Sequence, residues 1–194
     1  MNLSFFLMHY PVRALGPGTR VGLWCQGCSI HCADCISPEG QPFLPERGVP
    51  VSELAKRIVG YGAEGLTVSG GEPFDQPEAL MELLRILNAQ GLSDILIYSG
   101  YQADDLLKRY PDLADLAAVL IDGPFEPGNV TTSTWKGSDN QRLHLWRMEL
   151  GPRYRDWMRS SARKLQLAKD IDGRRFLIGI PKQEDTERLK AAGP

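Results

Sequence analysis

The sequence predicts an α/β protein, a partial (βα) barrel or an open parallel sheet, folded as a single domain. Two observations carry this. Short apolar runs alternate with amphipathic stretches of about ten residues, the rhythm of successive βαβ units. The unusual residues fall directly after the apolar runs, at the edge where parallel α/β proteins collect ligands. With 194 residues, 42 % of them apolar, there is material for one real core.

The elements follow in order. Asn2 to His9 is apolar and aromatic, a first strand. Pro11 to Gly18 is a loop broken by prolines and glycines, and Arg20 to Trp24 is a second strand. Pro38 to Pro50 is a long irregular connection. Ser52 to Gly60 reads as a helix with Ser52 as its N-cap, because Leu54, Ala55, Ile58 and Val59 fall at helical spacing. Gly65 to Ser69 is a strand. Gln76 to Gln90 is the clearest helix, opened by a capping pair Asp75 and Glu78 and closed by Gly91. Ile95 to Tyr98 is a strand, Ala103 to Tyr110 a helix, Ala117 to Ile121 a strand, and Arg175 to Ile180 a last strand.

Four odd stretches come immediately after strands: Cys25 to Cys35, Gly70 to Pro73, Ser99 to Tyr101, and Asp122 to Phe125. A single shared site at the carboxyl edge of a sheet produces such a distribution. The tendency of βα loops to carry Gly and Pro accounts for the glycines but not for the cysteines.

All four cysteines lie within one stretch, Cys25-x2-Cys28-x3-Cys32-x2-Cys35. They admit three readings: disulfides, a four-thiolate zinc, or an iron–sulfur cluster. The chain opens Met1-Asn2-Leu3-Ser4-Phe5 without the marks of a signal peptide, so reduced thiols in a cytoplasmic protein are expected. Structural zinc usually joins two C-x2-C pairs across a longer loop than the three residues found here.

The subset Cys28-x3-Cys32-x2-Cys35, after Gly16-Pro17-Gly18-x-Arg20 and Val21-Gly22-Leu23-Trp24, resembles the radical S-adenosylmethionine enzymes. Together with Gly70-Gly71-Glu72-Pro73, Asp122-Gly123-x-Phe125 and Trp135-Lys136-Gly137-Ser138-x-Asn140-Gln141, it is similar to their small activating enzymes, those of anaerobic ribonucleotide reductase and of pyruvate formate-lyase. The likeness spans roughly residues 14 to 145.

That resemblance implies a compact radical-S-adenosylmethionine core. Cys28, Cys32 and Cys35 would ligate one 4Fe–4S cluster whose fourth iron binds S-adenosylmethionine. One-electron cleavage of the sulfonium would then release a 5′-deoxyadenosyl radical. Gly70, Gly71, Glu72, Pro73, Ser99 and Asp122 would line the cofactor pocket, with Glu72 also able to pair with Arg20 or to cap amides. Asp34 stands where the family often has an aromatic, so its backbone would make the contact. Cys25 is read as a small buried hydrophobe, His31 as a loop residue near the cluster, and Tyr101 as either packing or pocket lining. His9 and His144 receive no role.

The implied reaction places a glycyl radical on a partner enzyme, with a flavodoxin or ferredoxin as reductant and an open side left for a macromolecular substrate. Modification of a peptide or small metabolite is the alternative enzyme reading. A zinc or iron–sulfur binding module is the alternative outside catalysis.

Composition excludes other classes. No apolar run approaches the roughly eighteen residues of a membrane helix. A net charge of −2 and the lack of a nucleic-acid-binding motif argue against a nucleic-acid partner, and no G-x-S-x-G supports a hydrolase. From Gln141 to Arg175 there are ten Lys and Arg against four Asp and Glu. We therefore divide the chain into a core, 1–146, and a basic extension, 147–194, which carries a partner-docking or packing helix.

Overall fold

The computed structural model describes residues 1–160, 165–169, 173–182 and 185. The strands are β1 (Asn2–Val12), β2 (Arg20–Cys25), β3 (Gly48–Pro50), β4 (Gly65–Gly70), β5 (Ile95–Tyr98), β6 (Val119–Asp122) and β7 (Arg142–Leu145). They form one open sheet in the order β3-β1-β2-β4-β5-β6-β7. The four central strands, β2, β4, β5 and β6, are parallel. β1 pairs antiparallel with β2, β3 antiparallel with β1, and on the other side β7 antiparallel with β6. The central strands are near-continuous apolar runs because both faces of the sheet are covered.

One face packs under α1 (Val51–Gly60) and α2 (Pro77–Ala89). Leu54 and Ile58 from α1 and Leu80, Leu83, Leu84 and Leu87 from α2 are fully buried with Leu23, Leu66, Val68 and Ile97. Each such side chain contributes about 1.5–3 kcal/mol by leaving water. α3 (Ala103–Arg109) and the single turn α4 (Leu113–Leu116) add Leu106 and Leu113 to the same core.

Side chains alternate across a strand, so Leu96, Val119 and Ile121 meet the other face. There they pack with Trp135 and with Tyr154 of α5 (Gly151–Arg159). A hairpin of β8 (Gln166–Lys169) and β9 (Arg175–Ile178) buries Ala168 and Ile178 against Val12, Ala14, Leu15 and Trp24. This face of the sheet is therefore partly covered by the extension rather than left open. Within the expected basic tail, Arg163 and Lys164 lie outside the described residues.

Several boundaries differ from the sequence reading for identifiable reasons. β1 runs on to Val12, where it still pairs with Arg20 of β2, and the supposed irregular stretch contributes β3, a three-residue edge strand that needs little apolar patterning. The strand before Asp122 begins at Val119, since Leu113–Leu116 closes a helical turn first. β7 and β8 are short and polar and gave no apolar run. Ser52 is not an N-cap: α1 starts at Val51, after Pro50, with no side-chain cap. Asp75 and Glu78 form no capping box either. α2 begins at Pro77, whose missing N–H costs nothing at that position, with Gln76 before it and no side-chain cap.

Candidate active site

The base of the cysteine loop is fastened by backbone. Gly27 N–H donates to Gly40 O at 2.7 Å and Cys28 N–H to Gln41 O at 3.0 Å. The Gln26 side chain donates to Glu39 O and Pro42 O, and Arg47 donates to its oxygen. These bonds explain the long connection after the cysteines: it is a collar that holds the loop's base. From Ser29 onward the loop stands at the carboxyl edge of the parallel strands, partly or fully exposed.

The four thiols separate into two kinds. Cys25 ends β2 and is fully buried in the apolar core. Burial, reinforced by the nearby Glu72 carboxylate, pushes its thiol far above the ordinary range. It behaves as the small hydrophobe that the sequence suggested. Cys28, Cys32 and Cys35 are free thiols of intermediate exposure on the loop itself. Burial raises the Cys28 thiol, partly countered by the N–H groups of His31 and Ile30.

The donor set suits a cluster better than a lone ion. Cys25 sits within the core, so a four-thiol site would have to draw it out of the sheet. Among the described residues, no three His, Cys, Asp or Glu side chains converge as a single-ion site requires. A cube likewise needs its three thiolates gathered around it, so binding one would draw Cys28, Cys32 and Cys35 together while leaving Cys25 in the core. His31 and Asp34 are exposed and adopt positive φ, 50° and 53°, which fold the loop back sharply.

Gly70 and Gly71 sit under this loop. Gly70 has φ 103°, and a Cβ there would lie 2.5 Å from Cys25 N. A Cβ on Gly71 would lie 2.1 Å from Gly27 O. The close approach for which these glycines are needed is thus to the base of the cysteine loop. Gly71 N–H donates to Cys25 O and Glu72 N–H to Gly27 O, both at 2.8 Å.

Glu72 follows, 2 % exposed. Its carboxylate accepts from Phe74 N–H at 3.0 Å, Ser99 Oγ at 2.8 Å and Gly100 N–H at 2.8 Å. Burial nevertheless raises its pKa to about 7. Of the two partners the sequence offered, it takes the amides. Arg20 is at the far end of β2 and pairs with Asp94 at 3.1 Å. Pro73 is buried and opens a short 3-10 turn, Pro73–Asp75.

Ser99 and Asp122 are both buried and both engaged. Ser99 Oγ also accepts from Tyr101 N–H. Asp122 accepts from Ala103 N–H and from Arg142, each at 2.8 Å, and His144 Nε2 lies 3.2 Å away. Burial alone would raise the Asp122 carboxyl, but the bonds from Arg142 and Ala103, with His144 close by, outweigh it and hold it below the usual range. Their side chains therefore fix the βα turns in place.

The Trp135–Gln141 loop is bonded to its own rim. The Gln141 side-chain oxygen Oε1 accepts from Gly137 N–H, its Nε2 donates to Gly123 O, and Asn140 donates to Pro124 O. Sequence reasoning missed Arg142 and His144 as partners of Asp122, and Gln76, whose amide ties Ser4 to Gln26. Their only signal was polarity at the rim of the sheet.

Four parallel strands with a three-thiol loop over their carboxyl ends make an α/β scaffold suited to an iron–sulfur cluster. The family model described as a 4Fe-4S single cluster domain matches residues 14–144. The chain is 33 % identical over 137 residues to the anaerobic ribonucleoside-triphosphate reductase-activating protein of Enterobacteria phage T4, covering 66 % of this chain and 85 % of that one. To the protein of the same name from Salmonella typhimurium it is 32 % identical over 152 residues, covering 70 % and 95 %. A pyruvate formate-lyase-activating enzyme of Clostridium pasteurianum is 30 % identical over 92 residues, 44 % and 39 % of the two chains.

The chain belongs to the 4Fe–4S single-cluster family, alongside the anaerobic ribonucleoside-triphosphate reductase-activating proteins. The matching family is defined by one 4Fe–4S cluster, and the relatives named above are activating proteins and an activating enzyme.

Proposed function

We propose that this chain is an activase that places a glycyl radical on a partner enzyme of the anaerobic ribonucleotide reductase kind, using a single 4Fe–4S cluster held by Cys28, Cys32 and Cys35. The observation that carries the reading is the sorting of the thiols: three stand on a loop at the carboxyl edge while the fourth is sealed in the core. The chemistry supplied when the cluster is bound is one-electron cleavage of the sulfonium to a 5′-deoxyadenosyl radical.

The protein's own part is to place and shelter. In this reading Gly70, Gly71, Glu72 and Pro73 offer backbone to the cofactor. Ser99 and Asp122 line the pocket by fixing the turns after β5 and β6, and Asp34 contributes main chain. Glu72, bonded to the turns after β4 and β5, keeps both at a fixed separation. We take residues 1–146 as the core and 147–194 as an extension of the same domain. This rests on Tyr154 of α5 being fully buried and donating to Asp94 at 2.6 Å. The reading takes a flavodoxin or ferredoxin as reductant and the cytoplasm as compartment, where thiols stay reduced.

The test is anaerobic reconstitution with iron and sulfide, followed by dithionite and S-adenosylmethionine. The expected results are a brown protein, release of 5′-deoxyadenosine, and a glycyl-radical electron paramagnetic resonance signal once the reductase is added. A colourless protein with one zinc and no cleavage would overturn the reading.

A further inference from the structure

Beyond its fastened base, the cysteine loop has little to hold it. Among the described residues, the hydrogen bonds that tie residues 29–36 to segments beyond the cysteine loop itself (28–37) are all made by Ser29; the others are local, such as Ser37 N–H to Cys35 Sγ. Ser29 N–H donates to Asp75 Oδ2 at 2.6 Å, and Ser29 Oγ to Asp75 Oδ1 at 3.0 Å. Tyr101 OH donates to the same Oδ1 at 2.7 Å and lies 2.9 Å from Ser29 Oγ. Arg109 stands over the Tyr101 ring at 5.6 Å, steadying it from α3. Next along the loop, Ile30 Cδ1 rests where a side chain on Gly100 would be.

Asp75 thus joins three segments: the cysteine loop, the turn after β4, and the turn after β5. It does no capping for α2, so its carboxylate has no other evident task. Ser29 is the residue next to Cys28.

We propose that Asp75, with Tyr101, is a positioning residue for the three-thiol loop: it clamps Ser29 and so fixes where Cys28 presents its thiolate to the cluster. This rests on the cluster reading above. A loop with two residues at positive φ and one polar anchor would, without that anchor, sample many poses, and a cluster needs three thiolates set in one of them. The carboxylate also brings a fixed negative charge beside the loop, which disfavours adding an electron there.

Two substitutions separate geometry from charge. Asp75→Ala removes every bond to Ser29. In Asp75→Asn the amide oxygen can accept from Ser29 N–H and the amide nitrogen can donate to the hydroxyl oxygens, so the clamp survives without its charge. The experiment reconstitutes full-length wild type, both variants, Tyr101→Phe and Cys32→Ala. It follows loss of iron to a chelator by absorbance, well below the unfolding temperature.

Hydrogen bonds to a charged group predict that Asp75→Ala loses iron about tenfold faster, with Tyr101→Phe between it and wild type. Asp75→Asn should fall within about twofold of wild type and reduce at a more positive potential. Asp75→Ala releasing iron at the wild-type rate would overturn the proposal, as would Asp75→Asn releasing it as fast as Asp75→Ala. If Asp75→Ala folds poorly, Tyr101→Phe at the wild-type rate overturns it equally. A wild type that takes up no more iron than Cys32→Ala would instead fail the cluster reading itself.

Discussion

The two ends of the parallel strands are built differently. At the amino end, Arg20 is fully buried and spends nearly every donor it has. It bonds Thr67 Oγ1 at 2.8 Å, Leu66 O at 2.7 Å, Pro17 O at 3.2 Å and Asp94 O at 2.8 Å, and forms an ion pair with the Asp94 carboxylate. Tyr154 bonds the same carboxylate, and Arg153 reaches Glu64 and Pro17 O. At the carboxyl end the cysteine loop is exposed and, beyond its fastened base, is tied to the neighbouring turns through Ser29 and Asp75; Glu72, which joins the turns beneath it, has a pKa that burial has raised. The amino end is finished and closed. The carboxyl end keeps donors and acceptors near open space, as a site for a cofactor and a macromolecular partner must. In parallel α/β proteins, stability resides at one end of the strands and chemistry at the other.

Substitutions at the two ends should therefore fail in opposite ways. Cys32→Ala should abolish cleavage of S-adenosylmethionine while leaving the apo-protein's melting temperature unchanged, because its side chain packs against no core. Cys25→Ala should do the reverse: it keeps cluster and cleavage and costs about 1 kcal/mol of stability. Loss of the cluster in the Cys25 variant would break the comparison outright. At the amino end, Asp94→Ala strands the Arg20 guanidinium without its counter-charge. Removing one partner of a buried pair costs roughly 3–5 kcal/mol, a fall of ~10 °C in melting temperature for a chain of this size. Cleavage per cluster, measured below that temperature, should stay at the wild-type value.

The raised carboxyl of Glu72 gives the carboxyl end a pH signature. Its folded pKa is about 7 against 4.5 for the free side chain. Between those values the folded state binds more protons than the unfolded one, so its contribution to stability falls as pH rises and levels off above 7. The window is worth on the order of 3 kcal/mol. His9 works the opposite way: burial holds it below 6.5, so its share of stability grows as pH rises toward that value. The difference in melting temperature between wild type and Glu72→Gln isolates the carboxyl. That difference should fall steadily from pH 4.5 to 7; a flat difference would mean that Glu72 is ionised throughout.

The parallel core was legible because its signals are strong and local. The apolar run Ile95–Tyr98 fixes β5 to the residue. Helix α2 followed from its leucines and from Gly91, which takes φ 87° just past its end. The cysteine spacing marked the site. What stayed illegible were long-range polar choices. Arg20 and Glu72 look like natural partners in sequence, yet they stand at opposite ends of the strands, and burial gave each a different solution. Asp75 read as a helix cap because Asp-x-x-Glu is a local pattern; its actual partner, Ser29, is forty-six positions away. Edge strands β3 and β7 left no trace because one side of each lacks a neighbouring strand and needs little apolar pattern.

Two helix starts give the finest version of the same lesson, with the smallest effects. Ser52 and Gln76 both stand near helix N-termini, and serine is much the better capping residue by propensity. Yet the Ser52 side chain caps nothing: α1 starts one residue before it, behind Pro50. Gln76 also caps nothing within α2, but its amide accepts from Ser4 N–H at 2.7 Å and donates to Ser4 O and Gln26 O, sewing β1 to the end of β2. Ser52→Ala should then leave the stability within about 0.5 kcal/mol of wild type, as for an ordinary surface change. Gln76→Ala should cost about 1–3 kcal/mol by leaving partly buried backbone groups unpaired. Thermal unfolding of the two apo-proteins ranks them, and a Ser52 variant as unstable as the Gln76 variant would mean that the serine hydroxyl does cap α1.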